Sequence, residues 1–203
     1  MSKKKINTVS KMFDELKTRS FIGKLYCKYY LYPKITNYLN GHLLDYGAGI
    51  GNYSLYYKKF NIVTPAEINP MCLEYMKKIN LDPIRIFNDT LDVKDSIYDC
   101  AILDNVLEHT IKPLKVIREI SRVVKKNKII IIGVPGKKGY DLDWDHKTFI
   151  NEAEINKFCN NLGLKINSIF YTPLFKSDIL SKNLRQYCIY AVIENTKKTY
   201  YEN

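Results

Sequence analysis

The chain lacks several features that would have assigned it to a class at once. Its five cysteines, Cys27, Cys72, Cys100, Cys159 and Cys188, never fall at C-x-x-C spacing, so neither a zinc ribbon nor a dithiol redox motif is supported. Scattered and odd in number, they read as packed thiols of a cytoplasmic protein. No run approaches the roughly 18 apolar residues that would span a bilayer. The opening MSKKKINTVS is basic but has no apolar stretch, so no signal peptide is expected. Acidic residues are in deficit, with 21 Asp and Glu against 32 Lys and Arg, a net charge of +11. Such an excess raises the question of a nucleic-acid partner. The lysines are nevertheless dispersed, with small clusters at 3–5, 125–126, 137–138 and 197–198, two of them near the termini. That distribution reads as a solvated basic surface and disfavours nucleic acid, while an anionic acceptor or a peripheral membrane contact stays open. Histidine is scarce as well, at three residues, and no metal-ligating set is read from the sequence.

What is present reads as one α/β domain of 203 residues. Residues 1–40 are helical in pattern. Met12, Phe13 and Leu16 form one apolar patch, and Phe21, Ile22, Leu25, Tyr26 and Tyr29 form another. Ser20 is the expected N-cap between them, and Pro33 the expected end of the second helix and start of a short third one. This segment serves as a lid or as packing for the sheet. Residues 41–195 alternate strands and helices as a doubly wound sheet requires, and 196–203 form a polar tail. Strands are expected at 42–46, 62–67, 84–87, 98–103, 128–134, 164–171 and 185–194. Those at 98–103 and 128–134 are continuously apolar, as in parallel strands covered on both faces. Helices are expected from Asn52, Pro70, Pro113 and Asn151, with Asn127 and Gly163 as left-handed terminators. Residues 137–147 read as a polar loop. The last two strands are joined by a segment too short for a parallel crossover, so the final strand is expected to be antiparallel.

The stretch LLDYGAGIGNY organises the rest. Asp45 closes a buried strand, and Gly47, Gly49 and Gly51 then turn the chain into a helix. Such a unit presents unpaired backbone N–H groups with no side chains barring a ligand. Ligands of this fold class lie beyond the carboxyl ends of the strands. Glu67 ends the second strand sixteen residues after Gly51 and is placed to accept both hydroxyls of a ribose. Asp89 follows the third strand and can accept from an exocyclic amine. The fourth strand ends in Asp104 and Asn105, followed by Val106, Leu107, Glu108 and His109. Together these specify an adenosine-like ligand.

Those residues carry a resemblance. DYGAGIG resembles motif I of the class I S-adenosylmethionine-dependent methyltransferases of the small type 11 group, and AEINP resembles the segment that follows it. Asn88, Asp89 and Thr90 stand in the place of the adenine-binding segment. YDCAILDNVLEHTIKPLKVIREISRVVKKNKIIIIGVP is similar to the family's fourth strand, LEH turn, arginine-bearing helix and fifth strand. The match covers about 43–173. It departs at Pro65, where glycine is common, and at 126–128, where proline-glycine-glycine is usual. The resemblance implies a Rossmann-like seven-stranded sheet of order 3-2-1-4-5-7-6 with strand 7 antiparallel, and S-adenosylmethionine as cofactor. It assigns the cofactor to Asp45, Tyr46, Gly47, Ala48, Gly49, Gly51, Glu67, Ile68, Asp89, Thr90, Asp104, Asn105 and Val106.

The candidates for a catalytic base are His109 and His146. Tyr140, Asp143, Trp144 and Asp145 lie on the expected acceptor side, with the two aspartates available to orient His146. The competing reading of that stretch is a solvent-exposed polar loop. No Asn/Asp-Pro-Pro-Tyr element or Pro-Cys nucleophile is present, which argues against DNA as acceptor. The acceptor expected is a small molecule, a sugar or a glycan or lipid precursor, and the reaction O-methylation. The YDLDWDH loop is similar to that of members acting in cell-surface polysaccharide pathways. The alternatives are an RNA or other nucleic-acid methyltransferase using the basic surface, and a non-catalytic cofactor-binding partner protein.

Overall fold

The structure, a computed structural model, describes Phe13 and residues 20–196. Apart from Phe13, the helix expected around Met12 to Leu16 and the tail from 197 onward lie outside the described residues. Two compact units divide the chain, one running to Leu91 and the other from Asp92.

In the first unit, α1 (Phe21–Tyr26) starts where expected, with Ser20 Oγ accepting from Gly23 N–H at 3.1 Å. Pro33 does not end it. The chain passes through a single π turn, Cys27–Leu31, straight into α2 (Tyr32–Thr36), which carries Pro33 in its first turn. A proline has no N–H to give and its ring crowds the preceding turn, and the wider π turn accommodates both. No residue of α1 is buried, whereas Ile35 of α2 is fully so. Tyr32 packs against Tyr53 at 5.1 Å between ring centroids, and Thr36 Oγ1 meets the Tyr53 hydroxyl at 3.0 Å. α2 therefore takes the packing role. Gly41, at φ 82°, turns the chain into β1 (Leu43–Tyr46), buried throughout. His42 is structural, bonded through Nε2 to Thr64 Oγ1 at 2.8 Å. α3 (Asn52–Tyr57), β2 (Val63–Glu67), α4 (Pro70–Lys78) and the two-residue β3 (Ile84–Arg85) follow. β1, β2 and β3 pair in parallel.

The second unit contains β4 (Tyr98–Asp104), α5 (Pro113–Val123), β5 (Val124–Pro135), α6 (Lys137–Asp141), α7 (Glu152–Leu162), β6 (Lys165–Thr172), α8 (Asp178–Asn183) and β7 (Cys188–Glu194). β4 and β5 are parallel, and β7 runs antiparallel to both β5 and β6. Ile102, Leu103, Ile131 and Ile132 are completely buried, each worth about 2 kcal/mol of transfer free energy. α7 is capped as its sequence predicts, by Asn151 Oδ1 accepting from Glu154 N–H and by Gly163 in the left-handed region.

Two further expectations need correction. Asn127 is left-handed, at φ 60°, but it terminates no helix. α5 stops at Val123, and Asn127 lies inside β5, where the β4 register jumps from Tyr98↔Val124 to Cys100↔Ile129. The carbonyls at the end of α5 are met instead by buried Asn195, whose Nδ2 donates to Ser121 O at 2.9 Å and Val124 O at 2.8 Å. The expected loop 137–147 also begins with the short helix α6. The seven strands form one sheet in the order β3-β2-β1-β4-β5-β7-β6.

Candidate active site

In the first unit the glycine loop folds back onto the end of β2. Gly47, Gly49 and Gly51 all have positive φ, at 77°, 56° and 79°, which explains why glycine alternates here. Gly47 and Ala48 both donate to Ala66 O, at 2.8 and 3.0 Å. Gly49 N–H donates to Glu67 Oε2 at 2.7 Å, while Ile68 and Asn69 donate to Glu67 Oε1 at 2.8 and 2.9 Å. Loop and acid are thus one structure. Burial raises the Glu67 carboxyl above its ordinary value, against the lowering pull of those three N–H groups. Directly beside it Ile68 is exposed, and Phe87 is exposed just past β3.

Other residues singled out in this unit are engaged in the fold. Asp45 is buried and accepts from Ser54 Oγ at 2.5 Å, and Tyr46 is buried. Gly51 serves packing, since a Cβ there would stand 2.5 Å from Leu81 Cδ1. Asn88 and Asp89, both left-handed, form the tip of a two-residue turn closed by Phe87 and Thr90, which exchange backbone hydrogen bonds at 3.0 Å. The Thr90 hydroxyl donates to Phe87 O.

In the second unit Asp104 accepts from Tyr190 Oη at 2.7 Å and from Asn105 Nδ2 at 3.0 Å. Asn105 is left-handed at φ 54° and its N–H donates to Gly133 O, turning the chain out of the sheet. Val106 then precedes a single 3-10 turn, Leu107–His109.

Residues 145–148 are zipped onto this turn. Lys147 and Thr148 N–H both donate to Glu108 O, at 2.7 and 3.1 Å, and Thr148 Oγ1 donates to Thr110 O at 2.8 Å. This part of the stretch is therefore docked, while Trp144 stays exposed. Docking brings the two candidate bases together, their ring centroids 4.7 Å apart. His109 Nδ1 bonds Asp145 Oδ2 at 3.1 Å, and His146 Nδ1 bonds Tyr140 O at 2.8 Å. Both partners are pure acceptors, so each Nδ1 carries the proton and each neutral ring keeps its lone pair on Nε2. Tyr140 stacks on His146 at 5.2 Å, and Asp143 Oδ2 lies 3.8 Å from His146 Nε2. Burial, then the neighbouring His146 ring, hold His109 below the ordinary imidazole range against the pull of Asp145.

Glu108, which the sequence places in the LEH turn without a role of its own, stands out in the structure. It is fully buried beside the two histidines, with Oε1 3.9 Å from His146 Nε2. Neither carboxylate oxygen has a hydrogen-bond partner among the described residues. Burial pushes this carboxyl up to about 8, and Asp104 and Asp143 add to the push. The signal available in the sequence was its place next to His109. Tyr190 was missed, because nothing local marks a residue that acts across two strands.

Residues 11–168 match the family described as methyltransferase domain. Among curated proteins, the uncharacterized protein MJ1123 of Methanocaldococcus jannaschii is 27% identical over 136 residues, 62% of this chain and 65% of that one. The chain thus spans less than two thirds of that relative's length. Among solved structures, a SAM-dependent methyltransferase from Thermotoga maritima superposes with a TM-score of 0.72 at 16% identity, over 94% of this chain and 99% of that one. One from Aquifex aeolicus gives 0.68 at 17% identity, over 91% and 97%. At such identities these likenesses speak for the fold, and the family match for the class. The chain belongs to the methyltransferase-domain family, as a domain of Rossmann-like fold with S-adenosylmethionine as its cofactor.

Proposed function

We propose that this protein transfers the methyl group of S-adenosylmethionine to a hydroxyl oxygen of a small molecule, a sugar or a glycan or lipid precursor. In this reading Gly47, Ala48, Gly49 and Gly51 pass beneath the methionine moiety, Glu67 accepts the ribose hydroxyls and Asp89 and Thr90 flank the adenine. The resemblance assigns Asp45, Tyr46, Asp104, Asn105 and Val106 to the cofactor as well. The local chemistry supports this assignment: a buried carboxylate beside exposed, apolar Ile68 offers acceptors for paired hydroxyls next to a surface for a flat ring. The cofactor supplies a sulfonium methyl, which needs alignment more than activation.

A hydroxyl acceptor, unlike a neutral amine, has a tightly held proton to lose. The observation that carries the oxygen reading is the pair of imidazoles anchored through Nδ1 to an acceptor oxygen, which leaves Nε2 as the nitrogen free to take a proton. As the C–O bond forms and the C–S bond breaks, the hydroxyl proton passes to this basic cluster and S-adenosylhomocysteine leaves. Tyr140, Asp143, Trp144 and Asp145 form the acceptor side. The test is methyl-labelled S-adenosylmethionine incubated with pooled small metabolites, saccharides and total RNA. Label in a low-mass or saccharide methyl ether, reduced about 100-fold or more in His146→Ala, is the expected result. Label confined to RNA, or transfer intact in that variant, overturns the reading.

A further inference from the structure

A proton-accepting role explains the two histidines but leaves Glu108 without a purpose. A carboxyl group enclosed by protein with neither oxygen hydrogen-bonded among the described residues is costly in either protonation state, as a buried charge when ionised and as an unsatisfied O–H donor when protonated, and folds do not ordinarily retain such a group without a compensating partner. The partner that would offset this cost is positive and small. One ligand atom each from Glu108, His109 and His146 lies within 4.8 Å of the others, which is within reach of one cation after small side-chain adjustments.

The surroundings are those of a metal site. A ligating histidine ordinarily donates its second ring N–H to a carboxylate or a backbone carbonyl, which fixes the tautomer and aims the other nitrogen. Both arrangements occur here, Asp145 behind His109 and the Tyr140 carbonyl behind His146. Asp143 Oδ2, 3.8 Å from His146 Nε2, adds negative charge at the mouth. The backbone ties from Lys147 and Thr148 to Glu108 O hold the two segments in register without using either side-chain carboxylate oxygen.

We propose that Glu108, His109 and His146 bind a divalent transition-metal ion. Two imidazole nitrogens and one carboxylate oxygen suit zinc, iron(II), manganese or cobalt better than calcium or magnesium. Three protein ligands leave coordination positions open. The inference rests on the oxygen-methylation reading and deepens it. With the ion bound, the imidazoles act as ligands, and the acceptor is a hydroxyl compound whose oxygen is oriented and acidified by coordination; its proton passes to the Asp143 carboxylate, and not to a ring, as the C–O bond forms and the C–S bond breaks.

The experiment reads binding and needs no acceptor. Untagged protein freed of metal by chelator dialysis is titrated with cobalt(II) and followed by visible absorption, then challenged with zinc(II). One cobalt per chain, displaced by zinc, is expected. Glu108→Gln and His146→Ala should abolish it, and Asp145→Asn should weaken it about tenfold or more, as loss of a residue behind a ligand does. All three should keep wild-type affinity for S-adenosylhomocysteine, which reports that they are folded. If a variant loses that affinity too, X-ray absorption on the zinc-loaded wild type decides instead: a shell containing two imidazoles supports the site, and a sulfur or all-oxygen shell refutes it. Absence of one-to-one cobalt binding, or its survival in Glu108→Gln and His146→Ala, also overturns the proposal. Either refutation leaves the methyl-transfer reading to its own test.

Discussion

The hydroxyl of Tyr190 donates to Asp104 Oδ1 at 2.7 Å from two strands away, over the face of Gly133. Phe170 continues the same row, stacked on Tyr190 at 5.1 Å with the rings 7° from parallel. Gly133 is what makes the reach possible, since a Cβ there would come within 2.4 Å of Tyr190 Cε1 and 2.9 Å of Asp104 Oδ1. Gly133→Ala should therefore destabilise the protein by about 1–3 kcal/mol through overpacking. Tyr190→Phe should cost about 1 kcal/mol by removing one hydrogen bond. Urea midpoints measure both. A neutral Gly133→Ala would mean that the row is looser than described.

Asn195 holds the end of α5 to the C-terminal side of β7. Its Nδ2 serves two carbonyls within 2.9 Å, and its Oδ1 accepts from Ser121 Oγ at 3.0 Å, all in a buried setting. Asn195→Ala strips these partners away at once, and a loss of about 1–3 kcal/mol is expected. Asn195→Asp should be no better, because an acceptor would face the Ser121 and Val124 carbonyls. Thermal melts of the two variants check this.

Cofactor affinity should depend on pH through Glu67. Its folded-state pKa lies above the ordinary 4.5, so it takes up a proton at a higher pH than a free carboxyl does. The ribose hydroxyls need the carboxylate. Affinity for S-adenosylhomocysteine should therefore be full above that raised pKa and fall as pH drops through it. Glu67→Gln should be weaker where the wild type is ionised, flat with pH, and matched by the wild type once Glu67 is protonated. Calorimetry from pH 8 down to mildly acidic buffer distinguishes the two profiles.

Much of the fold was legible in the chain. The apolar runs ending at Leu103 and Val134 could only be covered strands, and Asn151 and Gly163 mark both ends of α7 in their own chemistry. The glycine loop and Glu67 were readable because backbone conformation and strand ends leave local traces. What escaped depends on distant partners. Asn127 has the left-handed φ its residue type favours, yet whether that φ ends a helix or bends a strand is decided by the β4 register. Pro33 was expected to stop a helix, and a π turn passes it through. Glu108 was named in its turn but given no role, because nothing local marks a turn carboxylate as enclosed and the segment docked on that turn, 145–148, lies far along the chain.

The most direct test of the account is calorimetric titration of S-adenosylhomocysteine into the wild type and into Glu67→Ala. The account predicts one binding site per chain, weakened about 10-fold to 100-fold when the ribose loses its charged acceptor. No binding at millimolar ligand, or equal affinity in the two proteins, would contradict it.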